Sequence, residues 1–289
     1  MADGRKNIET RIGSFLFDLL PGRTYTKLVE TVGKIRIPTV FRSSLYGLFC
    51  RMYGIERSEI DGQLVDFESF DSFFTRKNKK GVREIRPEDH LALCPSDSEL
   101  LGTSRVGNGM MVQTKGILYS AEDFLTSHRL AEEFDGGEVL TLYLRPRDYH
   151  RVHFPVSGVV EEVHYVPGYR YPVNPPAVAF VEGLYAKNER VVVVQKTPSF
   201  GRVITVMVAA LGVGNISLSW SPEGSYVTGG SLGGRISCLE NIHVKAGDEL
   251  GIFHLGSTVV LMFGPEKIRL QPLRIGERVQ VGRILGERV

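Results

Sequence analysis

The chain has 289 residues, of which 42% are hydrophobic and 24% are charged, with a formal net charge of +2. This length can bury a substantial core as one large domain or two smaller ones, and this composition is typical of a soluble globular protein. The three cysteines, Cys50, Cys94 and Cys238, are far apart and form no C-x-x-C pair. We therefore expect no disulfide framework and no cysteine metal site, and a reducing compartment.

The positive charge is concentrated at the N-terminus. Residues 1–54 carry nine Lys or Arg and four Asp or Glu, a net charge of +5, whereas the rest of the chain has a net charge of −3. This asymmetry suggests an anionic surface as the partner of the N-terminal segment. The first residues lack the apolar core of a signal peptide, and no run of about 18 apolar residues exists, so we expect neither a targeting segment nor a membrane-spanning helix.

Residues 8–54 have the pattern of two or three helices. Apolar residues recur at helical spacing between Ile12 and Leu20, a second helix is predicted over Thr26 to Ile35, and a third follows Pro38 and ends near Gly54. Apolar faces combined with Arg and Lys are typical of a membrane-associating layer, although a helical cap on the main domain is an equal alternative. Another short helix is predicted within Phe67 to Arg76.

From about residue 90 the chain favours strands. Apolar runs rich in β-branched residues are bounded by Gly, Pro and Asn, and they predict strands at 139–144, 191–195, 203–210 and 259–263. We expect an α+β protein, with a mainly antiparallel β-sandwich or barrel-like catalytic core and an N-terminal helical layer.

An internal echo supports this architecture. The pattern Val-x-x-Gly-x-x-Leu-Gly occurs at 244–251 and again at 279–286, 35 residues later. The echo predicts two similar β-units on either side of residues 255–258.

The segment Leu255-Gly256-Ser257-Thr258 lies between two apolar runs. Glycine has no Cβ, so it tolerates strained backbone conformations and close approach to its carbonyl. The Ser257 hydroxyl could attack the Gly256 carbonyl and convert the amide into an ester, after which elimination and hydrolysis would leave a pyruvoyl group. Alone, however, such a tetrapeptide is ordinary turn chemistry.

Two further motifs carry candidate catalytic groups. His150 and His153 lie three residues apart after a predicted strand, and a turn could direct both side chains into one cleft. A metal site is discounted because no third ligand has a recognisable spacing. Asp97 lies in the turn Pro95-Ser96-Asp97, and an Asp that orients a His that deprotonates a Ser is the general arrangement of an activated hydroxyl.

Taken together, these motifs resemble the phosphatidylserine decarboxylases, which are pyruvoyl-dependent enzymes of membrane lipid synthesis. The resemblance runs from about Phe67 to the C-terminus. It is carried by the motifs at residues 73–76, 95–97, 113–120, 149–155, 166–168, 173–175, 188–190, 213–216 and 255–258.

The resemblance implies roles for individual residues. Ser257 would be the precursor of a covalent pyruvoyl cofactor, and cleavage between Gly256 and Ser257 would give a large chain, 1–256, and a small chain, 257–289. Asp97 and His153 would complete the triad that drives self-cleavage. His150 would act in decarboxylation, as a proton donor or a substrate-positioning group.

The implied reaction converts phosphatidylserine to phosphatidylethanolamine and carbon dioxide through a Schiff base to the pyruvoyl group, without a metal or a pyridoxal lysine. The implied location is peripheral, on the cytoplasmic face of the cell membrane. Residues 1–66 would be the amphipathic membrane-associating segment and 67–289 the β-rich decarboxylase domain. No basic-aromatic repeat indicates a nucleic-acid partner, and the sequence leaves a homodimer open.

The chain departs from the family pattern at two places, since Ser98 follows Asp97 where the family usually has Gly, and Ala209 stands where Gly is more common. Neither change removes a catalytic group. Three alternatives remain at the level of sequence: a pyruvoyl decarboxylase of a soluble amino-acid-like substrate, an uncleaved serine hydrolase that uses Ser257, and a non-catalytic β-sandwich binding module.

Overall fold

The computed structural model describes residues 31–114, 116–211, 215–221, 235–236, 242–254 and 257–289. The architecture is α+β, with mostly antiparallel sheets and few helices. The strands are β1 (Leu91–Leu93), β2 (Ser98–Arg105), β3 (Met110–Thr114), β4 (Ile117–Ser120), β5 (Glu138–Leu144), β6 (Arg151–His153), β7 (Gly158–Val166), β8 (Arg190–Thr197), β9 (Gly201–Ala209), β10 (Ile216–Leu218), β11 (Arg235–Ile236), β12 (Ile242–Val244), β13 (Glu249–Phe253), β14 (Ser257–Phe263), β15 (Ile268–Leu270), β16 (Arg278–Val279) and β17 (Ile284–Arg288).

Besides the helical residues 31–34, the described part of the chain contains one long helix and five short ones. They are α1 (Thr39–Tyr53), α2 (Phe70–Phe74), α3 (Ala121–Leu125), α4 (His128–Glu133), α5 (Pro175–Phe180) and α6 (Leu184–Lys187). Two 3₁₀ turns, Arg57–Glu59 and Leu64–Asp66, connect α1 to α2.

The predicted third helix and the short helix in 67–76 are confirmed as α1 and α2. Gly54 ends α1 in the left-handed conformation, with a φ of 68°, which glycine adopts without strain. Of the predicted second helix, residues 31–34 are described and helical. The predicted first helix lies outside the described residues.

A nine-stranded antiparallel sheet forms the centre of the fold. Its order is β11-β7-β8-β9-β14-β5-β2-β16, and β12 also pairs with β7. The four predicted strands are confirmed as β5, β8, β9 and β14. All seven residues of β14 are buried, and β9 and β5 pair with it along its whole length. The continuous apolar pattern of these strands follows from burial on both faces.

Smaller sheets complete the described strands. They have the orders β1-β17-β15 and β10-β13-β6, and β3 pairs with β4 as a separate hairpin. In the second of these sheets, β6 carries His153 and pairs with β13, the strand that leads towards residue 257. The sheet therefore brings the histidine motif next to the chain that precedes Ser257.

The first glycine of each copy of the sequence echo lies in a turn, and both turns contact the same segment. Gly247 and Gly282 have φ values of 90° and 86°. A Cβ at Gly247 would lie 2.3 Å from Cγ2 of Ile85, and one at Gly282 would lie 2.3 Å from the carbonyl oxygen of Glu84. Both turns need glycine for its conformation and for its size.

Two of the three cysteines are described. Cys50 and Cys94 are buried and have free thiols. Burial raises the pKa of Cys94 to about 12, so this thiol stays protonated at neutral pH. Cys238 lies outside the described residues.

Candidate active site

Ser257 is a buried hydroxyl without a hydrogen-bond partner. It is the first residue of β14, where Leu144 of β5 and Ala209 of β9 lie opposite it. Its exposed fraction is 0%, and its Oγ has no partner among the described residues. A buried polar group left unpaired costs about 1–3 kcal/mol. Such a group in the middle of a sheet requires an explanation, and reactivity is one.

His153 is held in the tautomer that suits a general base. Its Nδ1–H donates to the carbonyl oxygen of Gly247 over 2.8 Å, so the lone pair is on Nε2. That atom is buried and has no partner among the described residues. Burial lowers the pKa of His153, while the bond to Gly247 and the charges of Glu249 and Asp97 oppose the shift. The ring is therefore neutral at pH 7, and Nε2 can accept a proton.

Asp97 lies beside His153 but does not bond to it. The backbone N–H of His153 donates to the carbonyl oxygen of Pro95 over 2.8 Å, which brings the two motifs together. The Asp97 carboxylate, 2% exposed, accepts from Nε of Arg83 over 3.0 Å and from the backbone N–H of Val281 over 3.0 Å. Within the described part of the chain, no hydrogen bond joins Asp97 to His153.

This geometry corrects one detail of the sequence-based interpretation, in which Asp97 held His153 directly. In the structure the Gly247 carbonyl orients the ring, and Asp97 acts on it through charge. Arg83, which the sequence did not single out, fixes Asp97 and also bonds to Glu59 over 2.8 Å. Burial opposes the charge of Arg83, but its hydrogen bonds to Asp97 and Glu59 raise its pKa overall.

His150 is the more deeply buried histidine, with an exposed fraction of 0%. Its Nδ1–H donates to the carbonyl oxygen of Asp148 over 2.8 Å, and its Nε2 has no partner among the described residues. Its ring centroid lies 3.9 Å from that of Phe74. Burial and then the charge of Arg76 lower the pKa of His150 to about 3, so the ring is neutral at physiological pH.

The motif at residues 73–76 positions the histidine segment. Phe74 packs on the ring of His150, and Arg76 donates to the carbonyl oxygen of Arg147 over 2.9 Å. In return, Nε of Arg151 donates to the carbonyl oxygen of Thr75 over 2.9 Å. The turn before β6 is therefore fixed from both sides.

The motif at residues 188–190 supports the strand opposite Ser257. Nδ2 of Asn188 donates to the carbonyl oxygen of Ala209 over 2.9 Å, and the Ala209 N–H donates to the carbonyl oxygen of Glu189 over 2.8 Å. Arg190 donates to four backbone carbonyl oxygens and is buried. These residues satisfy buried polar groups and have no unpaired atom of the kind seen at Ser257.

The histidines also lie close to the end of β13. The Phe253 N–H donates to the carbonyl oxygen of His150 over 3.0 Å, and Glu249 lies opposite His153. The structure thus gathers Asp97, His150 and His153 around the strand that leads towards Ser257. Gly256 itself lies outside the described residues.

Sequence reasoning missed a second polar group near this site, formed by Asp71, Ser217 and His254. Nδ1 of His254 lies 3.0 Å from Oδ1 of Asp71, and Nε2 lies 3.1 Å from Oγ of Ser217. Asp71 and His254 are 183 residues apart in the chain, so no local spacing could have connected them.

Comparisons with known proteins show which family the chain resembles. The sequence profile of the phosphatidylserine decarboxylase family matches residues 70–287. A phosphatidylserine decarboxylase proenzyme of Anaeromyxobacter sp. (strain K) is 41% identical over 270 residues, which cover 93% of this chain and 95% of that protein. Proteins of the same name from Pseudomonas putida (strain GB-1) and Yersinia pestis (strain Pestoides F) are 35% and 36% identical, and the matches cover 94% and 83% of this chain and 96% and 84% of those proteins.

Proposed function

The chain belongs to the phosphatidylserine decarboxylase family, and from that premise we propose that Ser257 is the residue at which it cuts itself and forms its cofactor. The enzyme is a carboxy-lyase that converts phosphatidylserine to phosphatidylethanolamine and carbon dioxide. It is made as a precursor and processed autocatalytically. The observation that carries the assignment to Ser257 is its buried, unpartnered Oγ at the start of β14.

In the proposed cleavage, Nε2 of His153 takes the proton of the Ser257 hydroxyl. Oγ then attacks the Gly256 carbonyl, the peptide C–N bond breaks, and an ester joins the two residues. Loss of the Ser257 α-proton eliminates Gly256 as a carboxylate. Water hydrolyses the remaining dehydroalanine, and ammonia leaves. Asp97 favours the proton transfer in the first step, because its negative charge stabilises the protonated form of His153.

The residues around position 257 fit a pyruvoyl group. The side chain is fully buried, and strands β5 and β9 hold the backbone on both sides. When formed, the group would supply an electron-withdrawing carbonyl for the loss of carbon dioxide. Cleavage would transfer Oγ of Ser257 to the Gly256 carboxylate, and this loss breaks no hydrogen bond among the described residues, because Oγ has no partner there.

We propose that His150 handles a proton during decarboxylation. With Nδ1–H bonded to Asp148, only Nε2 is available, and a pKa of about 3 leaves that atom unprotonated at rest. The ring must therefore accept a proton before it can donate one. This favours a role in which Nε2 first orients or deprotonates a substrate group and then returns the proton to carbon.

The two product chains, 1–256 and 257–289, would stay together after the cut. The small chain contributes β14, whose seven residues pair with β9 and β5 of the large chain. It also contributes β17, which pairs with β1. Removing the small chain would expose the buried apolar residues of the central sheet to water, which costs a free energy of about 25 cal/mol for each Å² of apolar surface.

We propose that the enzyme works at a membrane surface, peripherally and on the cytoplasmic face. The outward side of α1 presents Val40, Phe41, Leu45, Leu48 and Met52, all exposed. Exposed apolar residues on one helix face, beside arginines, suit an anionic lipid surface. In the described part of the chain, no helix is both long enough and apolar enough to cross a bilayer.

We further propose a boundary near residue 66, between a membrane-associating segment, 1–66, and a decarboxylase domain, 67–289, whose sheets stack as a sandwich or barrel-like core. Tyr46 and Cys50 of α1 share an apolar cluster with Ile60 and Phe73. That cluster would seat the helical segment on the catalytic domain.

Intact-mass measurement of freshly expressed protein tests the assignment of Ser257. The unsubstituted protein should give two species that match 1–256 and 257–289, and borohydride should add mass to the smaller one and abolish activity. Ser257→Ala should remain one uncut species, whereas the control Ser58→Ala, at an exposed serine, should be cut normally.

The alternatives predict different results. An uncut protein that is labelled by a hydroxyl-directed acylating probe would indicate a serine hydrolase. Cleavage with turnover of only a soluble amino acid would indicate a different decarboxylase. An uncut protein without activity would leave a binding module. Cleavage of Ser257→Ala at the same position would overturn the proposal.

A further inference from the structure

We propose that His254 is a positioning residue for self-cleavage, which fixes the chain on the N-terminal side of the bond that breaks. The inference rests on the proposed cleavage between Gly256 and Ser257. It assigns a role to a side chain that lies three residues before Ser257 and outside the Asp97, His150 and His153 group.

Among the described residues, three groups form hydrogen bonds with His254. Its backbone N–H donates to the carbonyl oxygen of Asn215 over 2.9 Å. Its Nδ1–H donates to the Asp71 carboxylate, at 3.0 Å from Oδ1 and 3.1 Å from Oδ2. In the neutral ring, Nε2 accepts from the Ser217 hydroxyl over 3.1 Å. Both ring nitrogens are therefore bonded, unlike those of His150 and His153.

The three anchors lie on different parts of the fold. Asn215 precedes β10, Ser217 belongs to β10, and Asp71 belongs to α2. The ring itself is only slightly accessible, with a side-chain exposure of 14%, against 18% for Asp71. A charge-assisted bond between two largely buried groups is stronger than an exposed one.

The position of His254 explains why such an anchor matters. Downstream, Ser257 is fixed because β14 pairs on both sides. Upstream, β13 is fixed by β10 and β6 as far as Phe253. Attack of the Ser257 hydroxyl requires the carbonyl of Gly256 to stay within reach, and a well-held geometry is worth several orders of magnitude in rate. His254 directly follows β13 and precedes Gly256 by two residues, and its ring bonds extend the fixed part of the chain beyond β13.

The arrangement also connects cleavage to the N-terminal part of the molecule. Helix α2 carries Asp71, Phe73 and Phe74. Phe73 packs with Tyr46 of α1, with ring centroids 4.5 Å apart, and Phe74 packs on His150. The bond from Asp71 to His254 thus ties the cleavage segment to the element that also seats α1 and His150.

A time course of cleavage in cell-free translation tests the inference, with the remaining precursor measured by gel and intact mass. His254→Phe keeps the ring but removes both side-chain bonds, and we expect cleavage to slow by about tenfold to a hundredfold. His254→Gln, whose amide can still donate to Asp71, should recover part of the rate. Asp71→Ala should resemble His254→Phe, and Asp71→Asn, which keeps an acceptor, should cleave faster than Asp71→Ala.

The matched control is His128→Phe. His128 also bonds to carboxylates, those of Glu122 and Glu132, but it lies on the surface helix α4. It should cleave at the unsubstituted rate. Ser217→Ala removes a single oxygen from one partner, and it decides the question if His254→Phe does not fold. We expect it to slow cleavage by several fold.

Two outcomes separate this inference from the proposed function. If Ser257→Ala stays whole while His254→Phe, Asp71→Ala and Ser217→Ala all cleave at the unsubstituted rate, the role of His254 is wrong and the cleavage site stands. If Ser257→Ala is cut at the same position, the cleavage site itself is wrong. Equal slowing by His254→Phe and His254→Gln, with equal losses of thermal stability, would show a merely structural role and would also overturn the inference.

Discussion

The central sheet and helix α1 are incomplete in opposite ways. In the sheet the apolar side chains are buried, and an unsatisfied atom such as Oγ of Ser257 is polar. Nε2 of His153, on β6 of the neighbouring sheet, is also unsatisfied among the described residues. On α1 the unsatisfied surface is apolar, with Val40 80% and Met52 68% exposed. A phospholipid substrate has a polar headgroup and apolar chains in a membrane, so the two regions together suit the two parts of one ligand. Unpaired buried atoms therefore indicate reactive polar chemistry, whereas an uncovered apolar surface indicates an apolar partner.

The largest effect should come from the polar side of this comparison. His153→Ala removes the proposed base, and we expect self-cleavage to slow by about a hundredfold to ten-thousandfold. His150→Ala should still be cut but should lose decarboxylation, because its ring is proposed to act after the cofactor has formed. Pulse-chase of the precursor and carbon dioxide release, normalised to cleaved protein, measure the two steps. Equal cleavage rates for the two variants would contradict the division of labour.

A smaller effect is expected on the pH dependence of the free energy of unfolding, because His150 is buried. The pKa of His150 in the folded protein, about 3, lies below the value of about 6.5 for an unfolded chain. As pH falls from about 6.5 towards 3, the unfolded state takes up a proton that the folded state does not. The contribution of His150 to the free energy of unfolding should therefore be fully present above pH 6.5. Below that pH it should decrease, by at most about 1.4 kcal/mol per pH unit.

Denaturant unfolding of the uncut Ser257→Ala protein between pH 7 and pH 4 measures this slope. Adding His150→Gln should flatten it, although burial also lowers the pKa of His153 and part of the slope should remain. His90→Gln, at an exposed histidine, should leave the slope unchanged. An identical slope with and without His150 would show that the ring is not held neutral by burial.

The smallest effect on stability should come from the apolar side. Leu48→Ser on α1 should change the free energy of unfolding by no more than about 0.5 kcal/mol, since the side chain is 51% exposed. It should nevertheless weaken binding to vesicles that contain phosphatidylserine by about tenfold, as expected for losing one apolar side chain from a lipid contact. Leu118→Ser is a matched control, because Leu118 is also 51% exposed but lies on β4. Equal binding by both variants would rule out α1 as the lipid-binding face.

Local patterns predicted much of the fold, because the forces that make these elements act locally. The β-branched run at 191–195 and the apolar run at 259–263 predicted β8 and β14, and the pattern after Pro38 predicted α1 up to Gly54. The candidate side chains Asp97, His150, His153 and Ser257 could be named from motifs. The order of the strands could not be predicted, since it depends on pairings between distant segments.

The hydrogen-bond partners of the site residues could not be predicted from the sequence. The orienting partner of His153 is a backbone carbonyl at Gly247, 94 residues away, and backbone groups leave no trace in side-chain spacing. Arg83 lies in a basic loop, and basic loops are common on protein surfaces. Only the folded structure shows that Arg83 bonds to Asp97 and Glu59. The glycine echo was visible, but its relation to the site was not, because Gly247 and Val281 reach His153 and Asp97 only in the folded chain.

The contacts of Glu84 and Ile85 have a consequence for the mature enzyme. One of the two glycine turns packed on this pair would belong to each product of the cut: Gly247 to the large chain and Gly282 to the small one. The dipeptide Glu84-Ile85 would thus contact both polypeptides away from the cleavage site. Exchange of small chains between molecules should then be slow, since release would require the loss of these contacts as well as the separation of β14 from β5 and β9.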